Sequence, residues 1–273
     1  MNSTTNGLPI ASDLVLRRVD KQVVTLTLNR PSARNALSQE LIDVLLAELN
    51  AIAVDATVHA VVLAGAGPAF CAGHDLKEIR AAGFAEAYAK ALFVACSQLM
   101  QRIVTLPQPV IARVQGIATA AGAQLVASCD LAVAADTTRF ATPGVNIGLF
   151  CSTPMVALSR NVSHKHAMQM LLTGDLIDAQ TALRFGLINA VVPESELDAT
   201  VTAMAEKIAS KSHQTVAIGK AAYYRQAEMP LSDAYDYAGH VMVANLQAQD
   251  AQEGIAAFID KRPAVWCHGA SDE

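Results

Sequence analysis

Charged residues are scarce: they make up 16% of the chain, against 52% hydrophobic. A chain so poor in charge buries a large core and still leaves apolar surface for partner subunits to cover. Basic excess is missing too, and a net charge of -5 speaks against nucleic acid or an anionic membrane as a general partner. No apolar run reaches membrane-spanning length, because Arg113 and Gln115 interrupt the best candidate. The N-terminus has neither an apolar signal core nor an Arg-rich amphipathic transit segment, so a cytoplasmic location is expected. The five cysteines (Cys71, Cys96, Cys129, Cys151, Cys267) are odd in number and scattered, which excludes a disulfide framework and reads as reduced thiols. Without CxxC or His/Cys spacing, no metal site is expected. Gly65 and Gly67 follow a strand, but the third glycine of a dinucleotide fingerprint is absent, as are the P-loop, GxSxG and HExxH patterns.

What is present centres on residues 107–130, PQPVIARVQGIATAAGAQLVASCD. A β-rich run over residues 110–114 passes through Gly116 into the small residues 118–123, which predicts a tight turn into a helix. A helix start carries unpaired N–H groups and a positive dipole end, the environment a developing oxyanion needs. Small residues also permit close packing of a helix on a sheet, so this stretch alone supports either reading. Around it, strands are expected at residues 15–19, 23–28, 60–64 and 131–135. Helices are expected at residues 39–52, capped by Ser38, and at about 85–104. From Thr153 onward the pattern becomes a run of helices punctuated by Gly174, Gly186 and Pro230, with one short strand at Val191-Val192. The division expected is a loose N-terminus (1–13), an α/β core (14–200) and a helical C-terminal region (201–273), packed as one integrated domain without a linker.

Several motifs in this order resemble the crotonase (enoyl-CoA hydratase/isomerase) superfamily. They are Arg30-Pro31 with Asn35-Ala36-Leu37, the loop Phe70-Cys71-Ala72-Gly73-His74-Asp75-Leu76, Gln115-Gly116 with the small-residue turn, and Cys129-Asp130. The tail Gly254-Ile255-Ala256-Ala257-Phe258 with Lys261-Arg262-Pro263 fits as well. Within it, the runs at 124–130, 140–146 and 148–154 are similar to the enoyl-CoA hydratase domain-containing protein 3 type. The resemblance implies a spiral of strand-strand-helix units with a helical C-terminal region for trimerisation, two trimers stacking into a hexamer. It implies an acyl-CoA thioester as ligand and no cofactor beyond the coenzyme A of the substrate. Carried over residue by residue, the backbone N–H groups of His74 and Ala121 form the oxyanion hole. One such donor is worth about 2.7–4 kcal/mol of transition-state stabilisation. The backbone at Ala36, Ala72 and Leu76 approaches the nucleotide and pantetheine, Arg34 meets a phosphate, and Phe258 and Lys261 close over the adenine end from a neighbouring subunit.

The chain departs from the superfamily where proton transfer is done. The two hydratase glutamates fall at Gln124 and Gly144, and neither replacement exchanges a proton at neutral pH. A positioned acid or base contributes about 10²–10⁴-fold, so weak hydration is expected, and restoring both glutamates is expected to raise it. Gly144 is read as holding a backbone angle that other residues avoid. His74, Asn146, Cys151 and Ser152 stand near the implied acyl pocket as substitutes, with Asp75 beside them as a binding or loop-holding group. Two functions follow: an enolate-stabilising enzyme of altered activity, or an acyl-CoA-binding carrier, sensor or partner subunit.

Overall fold

The computed structural model describes residues 13–267, so the expected loose N-terminus lies, except for Asp13, outside the described residues. An antiparallel hairpin opens the fold, β1 (Val15–Asp20) and β2 (Val23–Leu28), with Lys21 turning the corner at φ 54°. In β2, buried Val24, Leu26 and Leu28 alternate with half-buried neighbours, the period of a strand with one fully covered face. α1 (Gln39–Ala53) follows. Ser38 Oγ accepts from the Leu41 N–H at 3.2 Å, capping the helix as its sequence predicts, and Leu41, Ile42, Leu45, Leu49 and Ile52 form the buried stripe. β3 (Ala60–Gly65) is buried at every position because it lies between two parallel neighbours.

The chain continues through α2 (Leu76–Ala81), α3 (Glu86–Thr105), β4 (Val110–Val114), β5 (Ile117–Thr119), α4 (Ala121–Ser128), β6 (Leu131–Ala135) and β7 (Arg139–Ala141). After these come α5 (Pro154–Asn161), α6 (His164–Thr173), β8 (Ile177–Asp178), α7 (Ala179–Phe185), β9 (Ala190–Val192) and α8 (Leu197–Ala209). The main sheet has the order β1-β2-β3-β4-β6-β9, and a second, small sheet has the order β5-β7-β8. Each turn of the spiral thus sends one strand to the main sheet and, in later turns, a second strand to the small one, before a helix covers the layer. The small sheet is not visible in the sequence, since strands of two or three residues are too short to show alternation. α2 is likewise unannounced, hidden inside the Gly-rich loop.

The described C-terminal region is α9 (His213–Gln226), α10 (Leu231–Leu246) and α11 (Gln249–Ile259). The expected division at residue 200 falls inside α8, whose Leu197, Val201 and Ala205 pack on the back of the main sheet with Val62, Ile111 and Val133. α9 has no buried residue along its length, yet it is tied to the core by a polar knot. Lys220 Nζ donates to Asp130 Oδ2 (2.7 Å), Ile103 O (2.9 Å) and Gln108 O (3.1 Å). Tyr224 donates to Asp130 Oδ1 (3.0 Å), and the Val110 N–H donates to Asp130 Oδ2 (2.7 Å). No helix among the described residues is long and apolar enough to cross a membrane.

Candidate active site

The loop that follows β3 folds onto the turn between β4 and α4. Asn35 starts this contact: fully buried, it donates to Ala66 O (2.9 Å) and Ala69 O (2.7 Å) and accepts from the Arg30 N–H (2.8 Å). Cys71 then bridges to Ala118, its N–H donating to Ile117 O while its carbonyl accepts from the Thr119 N–H. The fit is very close at Gly122, where a Cβ would stand 2.0 Å from Cys71 O, so only glycine is accommodated. Gly73, at φ 98°, leaves a Cβ position 2.9 Å from Ala120 Cβ and 3.5 Å from the Ala121 nitrogen. The FCAGHDL loop and the small-residue turn, far apart in sequence, are therefore in van der Waals contact at their tips, Gly73 and Ala120.

Two backbone donors are left free there. Leu37 pairs with both flanks of His74, donating to Gly73 O (2.8 Å) and accepting from the Asp75 N–H (2.9 Å), so the His74 N–H faces the other way. Ala120 sits at φ 51°, ψ -117°, a region that alanine avoids, held by its own N–H to Ala141 O (2.9 Å). This strained residue aims the first N–H of α4, that of Ala121, out of the helix. Neither the His74 nor the Ala121 N–H finds an acceptor among the described residues. Two acceptor-free donors on touching segments, one of them at a helix N-terminus, offer an oxygen that gains negative charge the kind of partner it needs.

The side chains around the donors offer little proton chemistry. Burial pulls His74 down to about 4, with Nε2 sealed and unpartnered and the ring edge-on to Phe93 at 5.3 Å. Burial pushes the Cys71 thiol up to about 12, and pushes Cys151 upward as well, so neither is a ready thiolate. Asp75 holds the loop by local bonds: its carboxylate pairs with Arg30 (2.9 Å) and caps α2 through the Lys77 N–H (3.0 Å), and these bonds outweigh burial and hold it below the usual range. Gln124 is buried on α4, its Oε1 without a partner. Gly144 is glycine for a different reason from the one its sequence suggests. Its φ is not left-handed; instead a Cβ would stand 2.2 Å from Leu149 O and 2.9 Å from Cys151 Sγ. A glutamate there requires the loop over residues 144–151 to move, so the double restoration of glutamates is not a clean experiment.

The remaining expected contacts spread outward. Arg34 is exposed, with left-handed backbone at φ 51°, and its carbonyl accepts from the Ala72 N–H (3.0 Å). Ala36 O accepts from Arg30 and Ala72 O from Thr119 Oγ1 (3.1 Å), so both carbonyls already serve the loop. Leu76, Asn146 and Ser152 are exposed, and the Ser152 hydroxyl donates only to Phe150 O at 3.4 Å. Phe258 is 85% exposed on α11, which packs on α9 and α10, and Lys261 follows it at φ 54°.

A cavity of about 1100 Å³ opens behind α4, between α3, α5 and α9. Gln124 and Ser128 line it from α4, and Lys220, Tyr223 and Tyr224 from α9; His74 and Ala121 are not in its wall. Sequence reasoning missed the α9 residues, although Lys220 and Tyr224 stand four apart, the spacing of one helix face. It could not know that this face meets Asp130, quoted only as a motif residue.

These observations agree with what the chain is similar to. The model of the enoyl-CoA hydratase/isomerase family matches residues 18–269. The mitochondrial enoyl-CoA hydratase domain-containing protein 3 of Rattus norvegicus is 48% identical over 255 residues, 93% of this chain and 85% of the relative. A crystal structure of a Mycobacterium smegmatis enoyl-CoA hydratase is 52% identical with a TM-score of 0.91, covering 93% of this chain and 99% of that one. The crystal structure of human enoyl-CoA hydratase domain-containing protein 3 is 45% identical with a TM-score of 0.89, covering 93% and 100%. The cytoplasmic expectation is corrected by these relatives: the rat, mouse and human proteins are all named as mitochondrial. Reduced cysteines mark any reducing compartment and do not distinguish one from another. With its spiral of strand-strand-helix units and the match along nearly its whole length, the chain belongs to the enoyl-CoA hydratase/isomerase (crotonase) family, within its enoyl-CoA hydratase domain-containing protein 3 type.

Proposed function

We propose that this protein binds an acyl-CoA thioester with its carbonyl oxygen between the N–H groups of His74 and Ala121, and that it stabilises an enolate there without efficient hydration. The observation that carries the reading is the pair of acceptor-free N–H groups on touching tips, one of them at the start of α4. Coenzyme A enters as part of the substrate, with Arg34 and the backbone near Ala36, Ala72 and Leu76 on its path. Phe258 and Lys261 serve a neighbouring subunit in a homotrimer or in two stacked trimers. Exposed Leu231, Tyr235 and Met242 on α10 support such an assembly, since apolar faces of this kind are covered by partners.

A second reading, binding without turnover, is favoured by the state of the side chains. A neutral His74 of low basicity, a protonated Cys151, and Gln124 and Gly144 at the glutamate positions leave no strong base beside the thioester. Calorimetry with crotonyl-CoA, run beside a hydration assay, separates these readings from an active hydratase. Binding is expected with hydration at least about 100-fold slower than in a relative with both glutamates. Ala121→Pro, which deletes one donor, should impair enolate chemistry in any substrate that turns over. Hydration as fast as in the two-glutamate relative, or no thioester binding at all, would defeat the proposal.

A further inference from the structure

The two segments that carry the free N–H groups are joined through backbone and by one side chain. Thr119, the last residue of β5, donates from its N–H to Cys71 O (3.0 Å) and from Oγ1 to Ala72 O (3.1 Å). Among the described residues, the second of these is the one side-chain hydrogen bond from the small-residue turn to the FCAGHDL loop. Both carbonyls stand just before Gly73-His74, and Thr119 itself stands just before Ala120-Ala121. A single residue therefore reaches the approaches to both donors.

Local geometry gives this hydroxyl its leverage. Thr119 shares the half-buried face of β5 with Ile117, while Ala118 points into the core. Its branched Cβ restricts χ1, so the hydroxyl is held with little rotational freedom. On the loop side, Gly73 sits at φ 98° with its Cβ position 3.1 Å from Thr119 O. Without a side chain there, the peptide between Ala72 and Gly73 is fixed by its hydrogen bonds rather than by sterics. On the turn side, Ala120 holds φ 51°, ψ -117°, a conformation that persists only where its surroundings pin it. Thr119 pins one flank, and the Gln124 N–H, donating to Ala120 O (3.0 Å), pins the other.

We propose that Thr119 is a positioning residue: its hydroxyl ties the peptide ahead of His74 to the strained turn ahead of Ala121, and so sets how the two N–H groups stand toward one oxygen. The hydroxyl is engaged with Ala72 O and acts through that peptide. Valine at this position has the same shape and keeps both backbone donors, but it leaves Ala72 O without its partner. The 72–73 peptide is then free to turn, and the His74 N–H turns with it. Polarisation of a carbonyl weakens as a donor leaves the line or the distance of a hydrogen bond. The proposal deepens the thioester reading and rests on it.

The test is infrared difference spectroscopy of crotonyl-CoA, isotopically labelled at its thioester carbonyl, beside calorimetry. The proteins are wild type, Thr119→Val, Thr119→Ala and Thr119→Ser. In wild type the carbonyl band should lie at lower wavenumber when bound than when free, because donors on the oxygen weaken the C=O bond. In Thr119→Val the affinity should stay within about tenfold of wild type, the most that one neutral hydrogen bond is worth, while the band loses about half its displacement. Thr119→Ala should do the same, which covers a valine that packs poorly. Thr119→Ser restores the hydroxyl and should return the band toward wild type. A residue needed only for packing would lower the thermal midpoint or the affinity and leave the band in place. A wild-type band in a folded variant without the hydroxyl overturns the proposal, as does a serine variant that behaves like valine. Failure of crotonyl-CoA to bind wild type, or a bound band at the free position, overturns the thioester site itself, and the wild type alone tells that failure apart.

Discussion

The α/β core and the C-terminal helices of this chain are held by different forces. In the core, α1 alone buries six residues, and Phe70 and Phe140 are wholly enclosed. In the C-terminal region, α10 buries only Ala234 over sixteen residues and α9 buries none. The core is stabilised by apolar burial, at about 25 cal/mol per Å². The C-terminal helices have no such stripe within one chain; Lys220 and Tyr224 secure α9 through the Asp130 carboxylate and, from Lys220, two backbone carbonyls, and much of what is apolar on α10 faces outward. A helix can thus be well placed in a fold while burying almost none of its own side chains.

The largest test of this contrast is Phe140→Ala set against Tyr235→Glu. The first opens a core cavity and should cost about 3–5 kcal/mol in chemical denaturation. The second lies on the exposed face of α10, so it should leave a single chain's stability within about 0.5 kcal/mol while lowering the mass seen by light scattering, if that face joins subunits. A stable monomer in the wild type would remove the reason for the outward apolar face.

Lys220→Met should come next. Asp130 then keeps two of its three donors but loses its cation, and breaking such a buried pair from one side costs about 3 kcal/mol. Burial draws the Lys220 ammonium down, and the Asp130 carboxylate opposes that pull. Hydrogen exchange should show protection lost in α9 while β3 and β4 stay closed. Uniform loss across the sheet would mean that α9 and the core unfold as one unit.

The smallest effect expected is a pH dependence from His74. Its folded value of about 4 lies below the ordinary His value, so between about 6.5 and 4 the unfolded chain binds a proton that the folded chain does not. Stability is then unaffected above pH 6.5 and falls as pH drops through that window, by about 2 kcal/mol near pH 5. His74→Leu keeps the backbone N–H and should flatten this slope; an unchanged slope would assign the acid sensitivity to other groups, His213 first, which burial and His59 also hold low.

Much of the fold was legible because its strands and helices carry their own periodicity. The stripe of α1 with its Ser38 cap, the all-apolar β3, and the breaks at Gly174 and Gly186 are local features that any chain would obey. The family was legible from motifs in order. The sheet of β5, β7 and β8 was not, because pairs of short strands exist only through their partners. Nor was the reason for glycine at 144, which lies in Leu149 O across a loop, or the capture of Asp75 by Arg30. Sequence by itself determined which groups are present and which elements they ride on. Tertiary structure alone decided which N–H groups stay free, which carboxylates are already paired, and that Gln124 faces a cavity, because each of these depends on neighbours brought from distant parts of the chain.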